Sequence, residues 1–384
     1  MKRLAIVVTH PIQYYVPVFR LLAEKCDLKV FYTWGEKGAA AKYDPDFDQI
    51  IDWDIPLLDG YEYEFVNNTS KKPGSHHFNG IKNPDLYPKI NEFCPDAVLV
   101  YGWAYLSHLK LMRKLKGKYK IWFRGDSTLL DETGNIRTIF KNVFLRWVYK
   151  NIDKAFFAGT ANKNYFKYFG LKPSQLIYLP HAVDNQRFSS HQNVHENKIR
   201  ESLNILNTAI LILFVGKLEQ KKDPEILLKA FATLNHKNAH LLFVGNGKLA
   251  QKMKKDVFDQ EIKNVHFLNF QNQTQMPNIY QASDLLCLPS KGPGETWGLT
   301  INEAMAANCA ILTTEKVGSS LDLVKDAING YVFEAGNLSA LKTTLDQMMD
   351  KDLLKNQGIK SGEIIKDFTF EKQVEILLSN LAIL

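Results

Sequence analysis

The 384-residue chain has few cysteines and no long apolar stretch. Its four cysteines lie far apart, with no C-x-x-C pair and no histidines at the spacing of a zinc site: Cys26, Cys94, Cys287 and Cys309. No apolar run reaches the roughly 18 residues that a membrane-spanning helix needs. The opening LAIVVTH is too short for the apolar part of a signal peptide and is typical of a buried strand. We therefore expect a cytoplasmic protein without a structural metal.

Positive charge is present in excess but is unevenly spread. The net charge is +7, and residues 101–154 carry 12 basic against 4 acidic side chains, interleaved with Phe, Trp, Tyr and Leu. One interpretation is an amphipathic surface in residues 107–154 that contacts anionic lipid at the inner face of the cell membrane. The other is a solvated helix face whose apolar side belongs to the core. No nucleic-acid partner is predicted, because no recognised binding motif accompanies the charge.

Short apolar runs alternate with amphipathic segments of helix length, which predicts an α/β protein with doubly wound parallel sheets. The polar segment 189–208 resembles a linker. It separates a domain at 1–188 from a domain at 209–365, and a terminal helix follows at 366–384. The predicted strands lie at 3–9, 28–33, 97–101, 119–123, 154–158, 176–179, 209–215, 239–244, 264–268, 284–288 and 309–313. Residues 34–95 show little regular pattern, which is typical of a functional loop or an insertion.

The segment GETWGLTINEAMA contains the strongest candidate site. It places Glu295 and Glu303 eight residues apart, with Gly298 between them. If a helix begins near Leu299, the free backbone amides at its start form a seat for a phosphate, and Gly298 lets the backbone approach closely. The two carboxylates are then placed to accept hydrogen bonds from sugar hydroxyls, one from ribose and one from a transferred hexose.

A second candidate lies upstream, where a strand, a glycine turn and a helix follow one another in residues 211–231. Lys217 and Lys222 straddle that turn, and their charges can hold a diphosphate from the side opposite the helix. Lys221 is adjacent, so the pairing could shift by one residue. A lysine-rich solvated turn is the alternative interpretation.

Taken together, these motifs resemble the family 4 retaining glycosyltransferases of the GT-B fold. VGKLEQKKD is similar to that family's first glycine turn, with Lys217 in place of the usual Arg, and FVGNGKL is similar to its second. PGETWGLTINEAMA is similar to the Glu-x7-Glu signature, with Trp297 where Phe is common. Further matches are PHAVDNQRF (180–188), the loop and strand at 265–290, and VGSSLDLVKDAINGYVF (317–333), in which Asp322 replaces the usual Glu.

The resemblance implies two Rossmann-like domains that face each other across a cleft. The first would bind the acceptor and the second a nucleotide sugar, with UDP-sugar favoured, and the terminal helix would pack back on the first domain. Lys217 and Lys222 would hold the diphosphate, Glu303 the ribose and Glu295 the transferred sugar. Replacing Arg by Lys at position 217 keeps the charge but loses the bidentate fork. The implied donor-binding set is Gly216, Lys217, Lys222, Phe270, Glu295, Thr296, Trp297, Gly298, Leu299 and Glu303.

The first half resembles a less widely shared branch of the family, found in bacterial enzymes of surface polysaccharide synthesis. Its marks are THPIQYYVPVFRLLAE, WDIPLLDGYEYEF, VLVYGWAYLSHL and WFRGDSTLL. The glycine loop usual after the first strand is replaced by His-Pro-Ile-Gln, whose side chains could contact the acceptor or the donor phosphate, although His10 could equally be a structural histidine. Asp126 could orient an acceptor hydroxyl, and Arg124 could meet an anionic acceptor or pair with Asp126. Tyr14, Tyr101 and Trp103 could stack on a sugar or line the core. The acceptor candidates are His10, Gln13, Tyr14, Trp103, Arg124 and Asp126, and the acceptor would be a glycan or a lipid-linked saccharide.

For such a protein we expect retaining transfer of a hexose-type sugar with no cofactor and no metal. Asp126, Lys217, Lys222 and Glu295 are the predicted catalytic residues. Two alternatives remain, a nucleotide-sugar epimerase of the same fold and a non-catalytic scaffold that binds nucleotide sugar. The acidic run DPDFD (44–48) suggests a metal-dependent GT-A enzyme, but it lies in a polar loop and not at a strand end, so we interpret it as solvated.

Overall fold

The structure is a computed structural model, and it describes residues 1–39, 42–44, 49–132, 136–190 and 193–384. The chain divides into two compact units. Unit 1 consists of Met1–Ala41, Ile55–His181 and Phe370–Leu384, and unit 2 consists of Lys42–Asp54 and Ala182–Thr369. Each unit therefore contains a segment that is distant in sequence from the rest of it.

The strands and helices follow one another along the chain in a regular alternation. The strands are β1 (Arg3–Val8), β2 (Asp27–Tyr32), β3 (Lys42–Asp44), β4 (Gln49–Ile51), β5 (Glu62–Phe65), β6 (Ala97–Tyr101), β7 (Lys120–Arg124), β8 (Lys154–Phe157), β9 (Leu176–Tyr178), β10 (Ile210–Val215), β11 (Ala239–Val244), β12 (Val265–Leu268), β13 (Leu285–Leu288), β14 (Ala310–Thr314) and β15 (Gly330–Phe333). The helices are α1 (Val16–Ala23), α2 (Leu86–Phe93), α3 (Leu106–Leu115), α4 (Ile136–Tyr149), α5 (Thr160–Tyr168), α6 (Asn185–Ser189), α7 (Asn193–Ser202), α8 (Pro224–Ala232), α9 (Ala250–Asp259), α10 (Met276–Gln281), α11 (Leu299–Ala306), α12 (Ser320–Leu323), α13 (Leu338–Gln347), α14 (Lys351–Ile365) and α15 (Phe370–Ala382).

Unit 1 is built around a parallel sheet whose strand order, in the described residues, is β5-β2-β1-β6-β7-β8-β9. The central strands β1 and β6 are almost entirely apolar and buried, because helices cover both faces of a parallel sheet. The order reverses between β1 and β6. Loops that leave the carboxyl ends of these two strands therefore lie side by side at the place where α/β sheets commonly bind ligands.

Unit 2 contains a second parallel sheet, with the order β12-β11-β10-β13-β14-β15 in the part of the chain that is described. Its strands are again buried apolar runs, as in ILILFV of β10. Here the order reverses between β10 and β13. The loop at Gly216 and the loop that precedes α11 follow these two strands, so the topology brings the two candidate donor segments together.

The predicted fold is confirmed in both units. Each predicted strand is present within one residue at either end, and α15 returns to unit 1 as expected. There Gln373 Nε2 donates to the carbonyl of Pro180 at 2.8 Å, and Lys154 Nζ donates to Asn380 Oδ1 at 2.7 Å. Within the described ranges, no helix is both long and apolar enough to cross a membrane.

The predicted linker 189–208 is wrong, because it contains α7, which packs in unit 2 beside α10. Arg200 anchors this helix and is only 7% exposed. Its guanidinium donates to the carbonyls of Leu206, Ala209 and Ala282 and to Asp284 Oδ2 at 2.8 to 3.0 Å. A polar composition suggested a linker, but one buried arginine with four acceptors fixes the segment in unit 2.

The segment 34–95 is also more regular than its sequence suggested. The strand β5 pairs with β2 at the edge of the unit 1 sheet, and α2 follows it. The strands β3 and β4 form an antiparallel pair that belongs to unit 2, which differs from the predicted domain at 1–188. Residues 45–48 of the DPDFD run lie outside the described residues.

Candidate functional site

The loops after β10 and β11 are packed directly against each other in unit 2. A Cβ placed on Gly245 would lie 2.1 Å from the carbonyl oxygen of Gly216, so only glycine permits this approach. The backbone amide of Leu218 also donates to the carbonyl of Asn246 at 2.8 Å. The two turns therefore form one rigid support, and Lys217 is half-buried on it.

Lys222 and Glu295 form an ion pair across this end of the sheet. Lys222 Nζ lies 2.6 Å from Glu295 Oε2, and the two side chains are 15% and 13% exposed. The Ser290 hydroxyl donates to the same carboxylate oxygen at 3.1 Å. Lys221 instead pairs with Glu219 at 3.2 Å and is 44% exposed. Of the two neighbouring lysines, Lys222 is the one that faces Gly216 and Glu295.

The loop that precedes α11 is held by short backbone contacts. The amide of Gly318 donates to the carbonyl of Glu295, and the amide of Ser319 donates to that of Trp297, both at 3.0 Å. A Cβ on Gly318 would lie 1.8 Å from the carbonyl oxygen of Thr296, so a larger residue would displace the loop. This contact fixes residues 295–298, and α11 begins at Leu299 as the sequence predicted.

Glu303 is buried inside α11, with 3% of its surface exposed. The Tyr280 hydroxyl donates to its Oε2 atom at 2.7 Å. Beside it, Trp297 is 4% exposed, and its indole nitrogen donates to Asn302 Oδ1 at 2.8 Å. A carboxylate in such a position is stabilised by further hydrogen-bond donors, which the hydroxyls of a ligand can supply.

Several polar groups near the start of α11 were not recognised from the sequence. The hydroxyl oxygens of Thr300, Ser319 and Ser320 are buried and have no hydrogen-bond partner in the described part of the chain. Buried polar atoms without a protein partner are rare, and hydroxyls in this position can form hydrogen bonds with a ligand that enters the site. Consecutive small polar residues after a strand, as in GSS of 318–320, were the available signal, but they are common in turns.

Phe270 lies in the loop that follows β12. Its backbone amide donates to Asn246 Oδ1 at 3.1 Å, which ties this loop to the paired glycine turns. Its ring lies 6.2 Å from that of Trp53, centroid to centroid. The structure thus brings Lys222, Glu295, Gly298 and Glu303 to one end of the unit 2 sheet, and it places Phe270 on a loop bonded to the same support.

In unit 1, the acceptor candidates follow β1, β6 and β7. His10 Nδ1 lies 2.8 Å from the Thr9 hydroxyl, and its ring packs edge-on against Trp34. Gln13 and Tyr14 are half-buried in the turn before α1. Asp126 is exposed. The pKa of the nearby Tyr15 phenol is raised, mainly by the burial of Tyr15 and secondly by the negative charge of Asp126. Their contact with an acceptor stays a prediction.

Arg124 is buried, with only 3% of its surface exposed. It donates to the carbonyl of Leu179 at 2.8 Å and lies 3.3 Å from His181 Nδ1. Burial, and then the charge of Arg124, hold the pKa of His181 well below its usual value. Arg124 therefore uses two nitrogens inside unit 1, and its contact with an anionic acceptor stays a prediction.

The predicted aromatic wall is divided between two separate contacts. Tyr101 is 8% exposed and packs against Tyr15, with ring centroids 4.7 Å apart, and burial raises the pKa of Tyr101 to about 12. Trp103 instead packs on Phe144 of α4 at 5.5 Å. These contacts favour the alternative that Tyr101 and Trp103 line the core.

His108 is a buried residue of unit 1 that the sequence did not single out. Its Nε2 atom lies 2.8 Å from the Thr33 hydroxyl, and its Nδ1 atom lies 2.9 Å from the carbonyl of Gly102. A carbonyl can only accept, so Nδ1 carries the proton and Nε2 accepts from Thr33. Burial lowers the pKa of His108 to about 4, so the ring is neutral at physiological pH.

Comparison with known proteins agrees with this arrangement of folds and loops. Residues 195–363 match the family described as Glycosyl transferases group 1. The whole chain is similar in fold to GT-B glycosyltransferases of known structure. It superposes on Anabaena HepE in complex with UDP with a TM-score of 0.76, at 16% identity over 100% of both chains. For WaaG, a glycosyltransferase involved in lipopolysaccharide biosynthesis, the TM-score is 0.68 at 17% identity over 97% of this chain and 99% of that one.

Among curated relatives the likeness is restricted to part of each protein. The chain is 30% identical to a lipopolysaccharide 1,2-N-acetylglucosaminetransferase of Salmonella typhimurium over 146 residues, which are 35% of this chain and 38% of that enzyme. It is 24% identical to an uncharacterized glycosyltransferase of Methanocaldococcus jannaschii over 215 residues, 55% of this chain and 60% of the relative. The chain thus spans less than two thirds of the length of each of these relatives.

Proposed function

We propose that the protein transfers a hexose-type sugar from a nucleoside diphosphate sugar to a glycan or lipid-linked acceptor, with retention of anomeric configuration, in bacterial surface polysaccharide synthesis. The observation that carries the proposal is the cluster at the start of α11. It combines a buried carboxylate at Glu303, the ion pair of Lys222 with Glu295, and buried hydroxyls that have no partner among the described residues. UDP is the favoured nucleotide, since Anabaena HepE, which shares the fold, was solved with UDP.

In this proposal each group of the site has one task. Lys217, Lys222 and the amides of Trp297, Gly298 and Leu299 bind the diphosphate. Glu303 accepts hydrogen bonds from the ribose, and Glu295 accepts them from the transferred sugar. Because Lys222 and Glu295 already lie 2.6 Å apart, the charges that the diphosphate and the sugar would meet are held in position before the donor arrives.

The reaction then needs little proton chemistry from the protein. The bond between the anomeric carbon and the diphosphate oxygen breaks, and the electron pair leaves with the diphosphate. The acceptor oxygen attacks from the same face, and its proton passes to the leaving phosphate oxygen. Lysine charge and helix amides stabilise the phosphate as its negative charge grows. Asp126 orients the acceptor hydroxyl. We expect no metal to be required.

Thermal shift measurements on the purified protein test the donor site first. UDP, GDP, ADP and their sugars are compared with and without EDTA, and we expect stabilisation by the UDP series that persists in EDTA. No stabilisation by any nucleotide well above millimolar concentration would contradict the proposal. Loss of the shift in EDTA would contradict its metal-free form. With a donor that binds, NMR of the product anomer then decides between retention and inversion.

We further propose that the protein works in the cytoplasm at the inner face of the membrane, and that α4 provides the contact. Phe140, Val143, Phe144 and Trp147 follow helical spacing and are 75%, 67%, 39% and 40% exposed. The Arg113 guanidinium lies 4.8 Å from the Trp147 ring. An exposed aromatic face beside basic side chains has the chemistry of an interfacial anchor on anionic lipid. All four cysteines are free, which agrees with a reducing compartment.

Vesicle flotation tests this contact. We expect the wild type to float with vesicles of mixed phosphatidylcholine and phosphatidylglycerol. The double variant Phe140→Glu/Val143→Glu should remain in solution. Phe258→Glu is the matched control, because Phe258 is 83% exposed on α9 of the other unit. Equal flotation of the double variant and the wild type would contradict the proposal.

A further inference from the structure

Residues 49–54, here called the strap, lie in unit 2 although they belong to the first part of the chain. They begin with β4 and end at Asp54, far outside the segment 195–363 that matches the glycosyltransferase family. A search for donor-site residues that is confined to the family segment therefore cannot find them.

The strap is hydrogen-bonded to the loop that follows β12. The backbone amide of Thr274 lies 3.2 Å from each carboxylate oxygen of Asp54, and the Thr274 hydroxyl donates to Oδ2 of the same carboxylate. Two residues earlier, Asn272 Nδ2 donates to the carbonyl of Asp52 at 2.5 Å. Trp53 lies between these two attachments, so its backbone is fixed on both sides.

Trp53 packs against Phe270 on that loop. The two ring centroids are 6.2 Å apart and the ring planes meet at 63°, an edge-on arrangement. Both residues are partly exposed, so the pair is not enclosed in the core. Two aromatic rings at such an angle form a corner that can receive a third flat ring against the face of one and the edge of the other.

A continuous series of contacts joins this corner to the proposed diphosphate turn. The amide of Phe270 donates to Asn246 Oδ1 at 3.1 Å, and the amide of Leu218 donates to the carbonyl of Asn246 at 2.8 Å. Leu218 directly follows Lys217. The corner and the lysine turn are therefore neighbours on the same rigid support, as a nucleobase and its diphosphate would require.

We propose that Trp53 contacts the nucleobase of the donor, and that with Phe270 it forms the aromatic corner that holds the base. Asp54 is a positioning residue that fixes Trp53 through Thr274. The inference rests on the proposed function, because it assumes a nucleoside diphosphate on the lysine turn. It extends that function by assigning part of base recognition to the strap.

Isothermal titration with UDP and with inorganic pyrophosphate separates the base from the diphosphate. We expect Trp53→Ala to weaken UDP binding by about tenfold or more, the usual effect of removing an aromatic ring that stacks on a base. Pyrophosphate affinity should change less than about twofold, because pyrophosphate has no base to stack. Trp53→Phe keeps a ring and should recover most of the UDP affinity. Phe258→Ala, a remote exposed aromatic of the same unit, is the control.

A purely structural role for Trp53 would give a different pattern. If the strap only covered Phe270, Trp53→Ala would lower the thermal midpoint and weaken both ligands together. Equal UDP affinity in Trp53→Ala and wild type would overturn the inference while leaving the donor site intact. If the wild type bound neither UDP nor pyrophosphate, the proposed function would fail and this inference with it.

The role of Asp54 is tested by coupling it to Trp53. Asp54→Ala should weaken UDP binding less than Trp53→Ala does, and the double variant should be no weaker than Trp53→Ala alone, because Asp54 acts only through the indole. Addition of UDP should also change tryptophan fluorescence in the wild type, and that change should be smaller in Trp53→Phe, in which Trp297 of the proposed diphosphate loop remains. Additive effects of the two substitutions would overturn the positioning role.

Discussion

The two units use similar parallel sheets but fix their strand-end loops in different ways. In unit 2 the loops touch through the main chain, since glycine at 245 and 318 lets carbonyl oxygens approach where a Cβ would stand. In unit 1 the corresponding loops are also bonded through the main chain, as in the Gly102 amide on the carbonyl of Arg124, but buried polar side chains add further bonds, from Arg124 to Leu179 and between His108 and Thr33. Main-chain contacts demand particular residue types at fixed spacing, whereas side-chain contacts can be replaced by other pairs. This requirement accounts for the glycine motifs that the sequence shows in unit 2.

The largest effect should come from the buried carboxylate of unit 2. We expect Glu303→Ala to reduce donor affinity by about a thousandfold, since two hydrogen bonds from ribose hydroxyls to a charged group are lost. Titration with UDP and its sugars measures the loss. Glu303→Gln, which keeps an acceptor for Tyr280, is the control for folding. Donor binding that survives in Glu303→Ala would contradict the assignment of the donor site to this end of unit 2.

The next largest effect should separate two adjacent lysines. Lys222→Ala is expected to lower kcat/KM by about a hundredfold, because one charged contact to the diphosphate disappears. Lys221→Ala is the matched control and should change kcat/KM less than about threefold, since an exposed ion pair contributes little. Similar losses in both variants would mean that overall charge, and not the fixed pair with Glu295, binds the donor.

In unit 1, the side-chain network should make stability depend on pH. Burial lowers the pKa of His108 to about 4 from an ordinary value of 6.5. Between these two pH values His108 is protonated in the unfolded chain but neutral in the folded chain. His108 therefore favours the folded state fully above pH 6.5, and this contribution falls by about 2 kcal/mol between pH 7 and pH 5.

Urea unfolding at several pH values measures the effect. In His108→Gln, which cannot be protonated, the dependence on pH should be flatter by that amount. The buried His181 also has a lowered pKa and remains in both proteins, so only the difference between them reports on His108. Parallel curves for the two proteins would show that His108 contributes nothing to the dependence.

The smallest effect should come from Asp126. We expect Asp126→Ala to lower the transfer rate about tenfold, the cost of one hydrogen bond between a hydroxyl and a carboxylate, while UDP-sugar affinity stays unchanged. Steady-state kinetics at saturating donor measures the first quantity and titration the second. If Asp126→Ala changed only the donor affinity, Asp126 would contact the donor and the proposed contact with the acceptor would be wrong.

The sequence predicted the layered architecture because buried parallel strands are continuous apolar runs between amphipathic segments. It also predicted that α11 begins at Leu299, since the glycine and the flanking carboxylates are specific to that turn. It could not predict α7, because the helix is polar in sequence and the contacts that fix it, those of Arg200, are made with residues distant in the chain. It could not place Trp53 beside Phe270 either, because more than two hundred residues separate them and no local pattern marks the contact.

The return of α15 to unit 1 has a consequence for the order in which the protein is made. Val374, Leu377 and Leu381 are each 1% exposed, and this helix packs on α1, the first helix of the chain. A ribosome therefore releases all of Ala182–Thr369 before the last piece of unit 1 emerges. During synthesis unit 2 can finish folding before α15 is available to cover α1. A nascent chain stopped at residue 369 should expose the apolar face of α1 and bind chaperones, although all of unit 2 has already been synthesised.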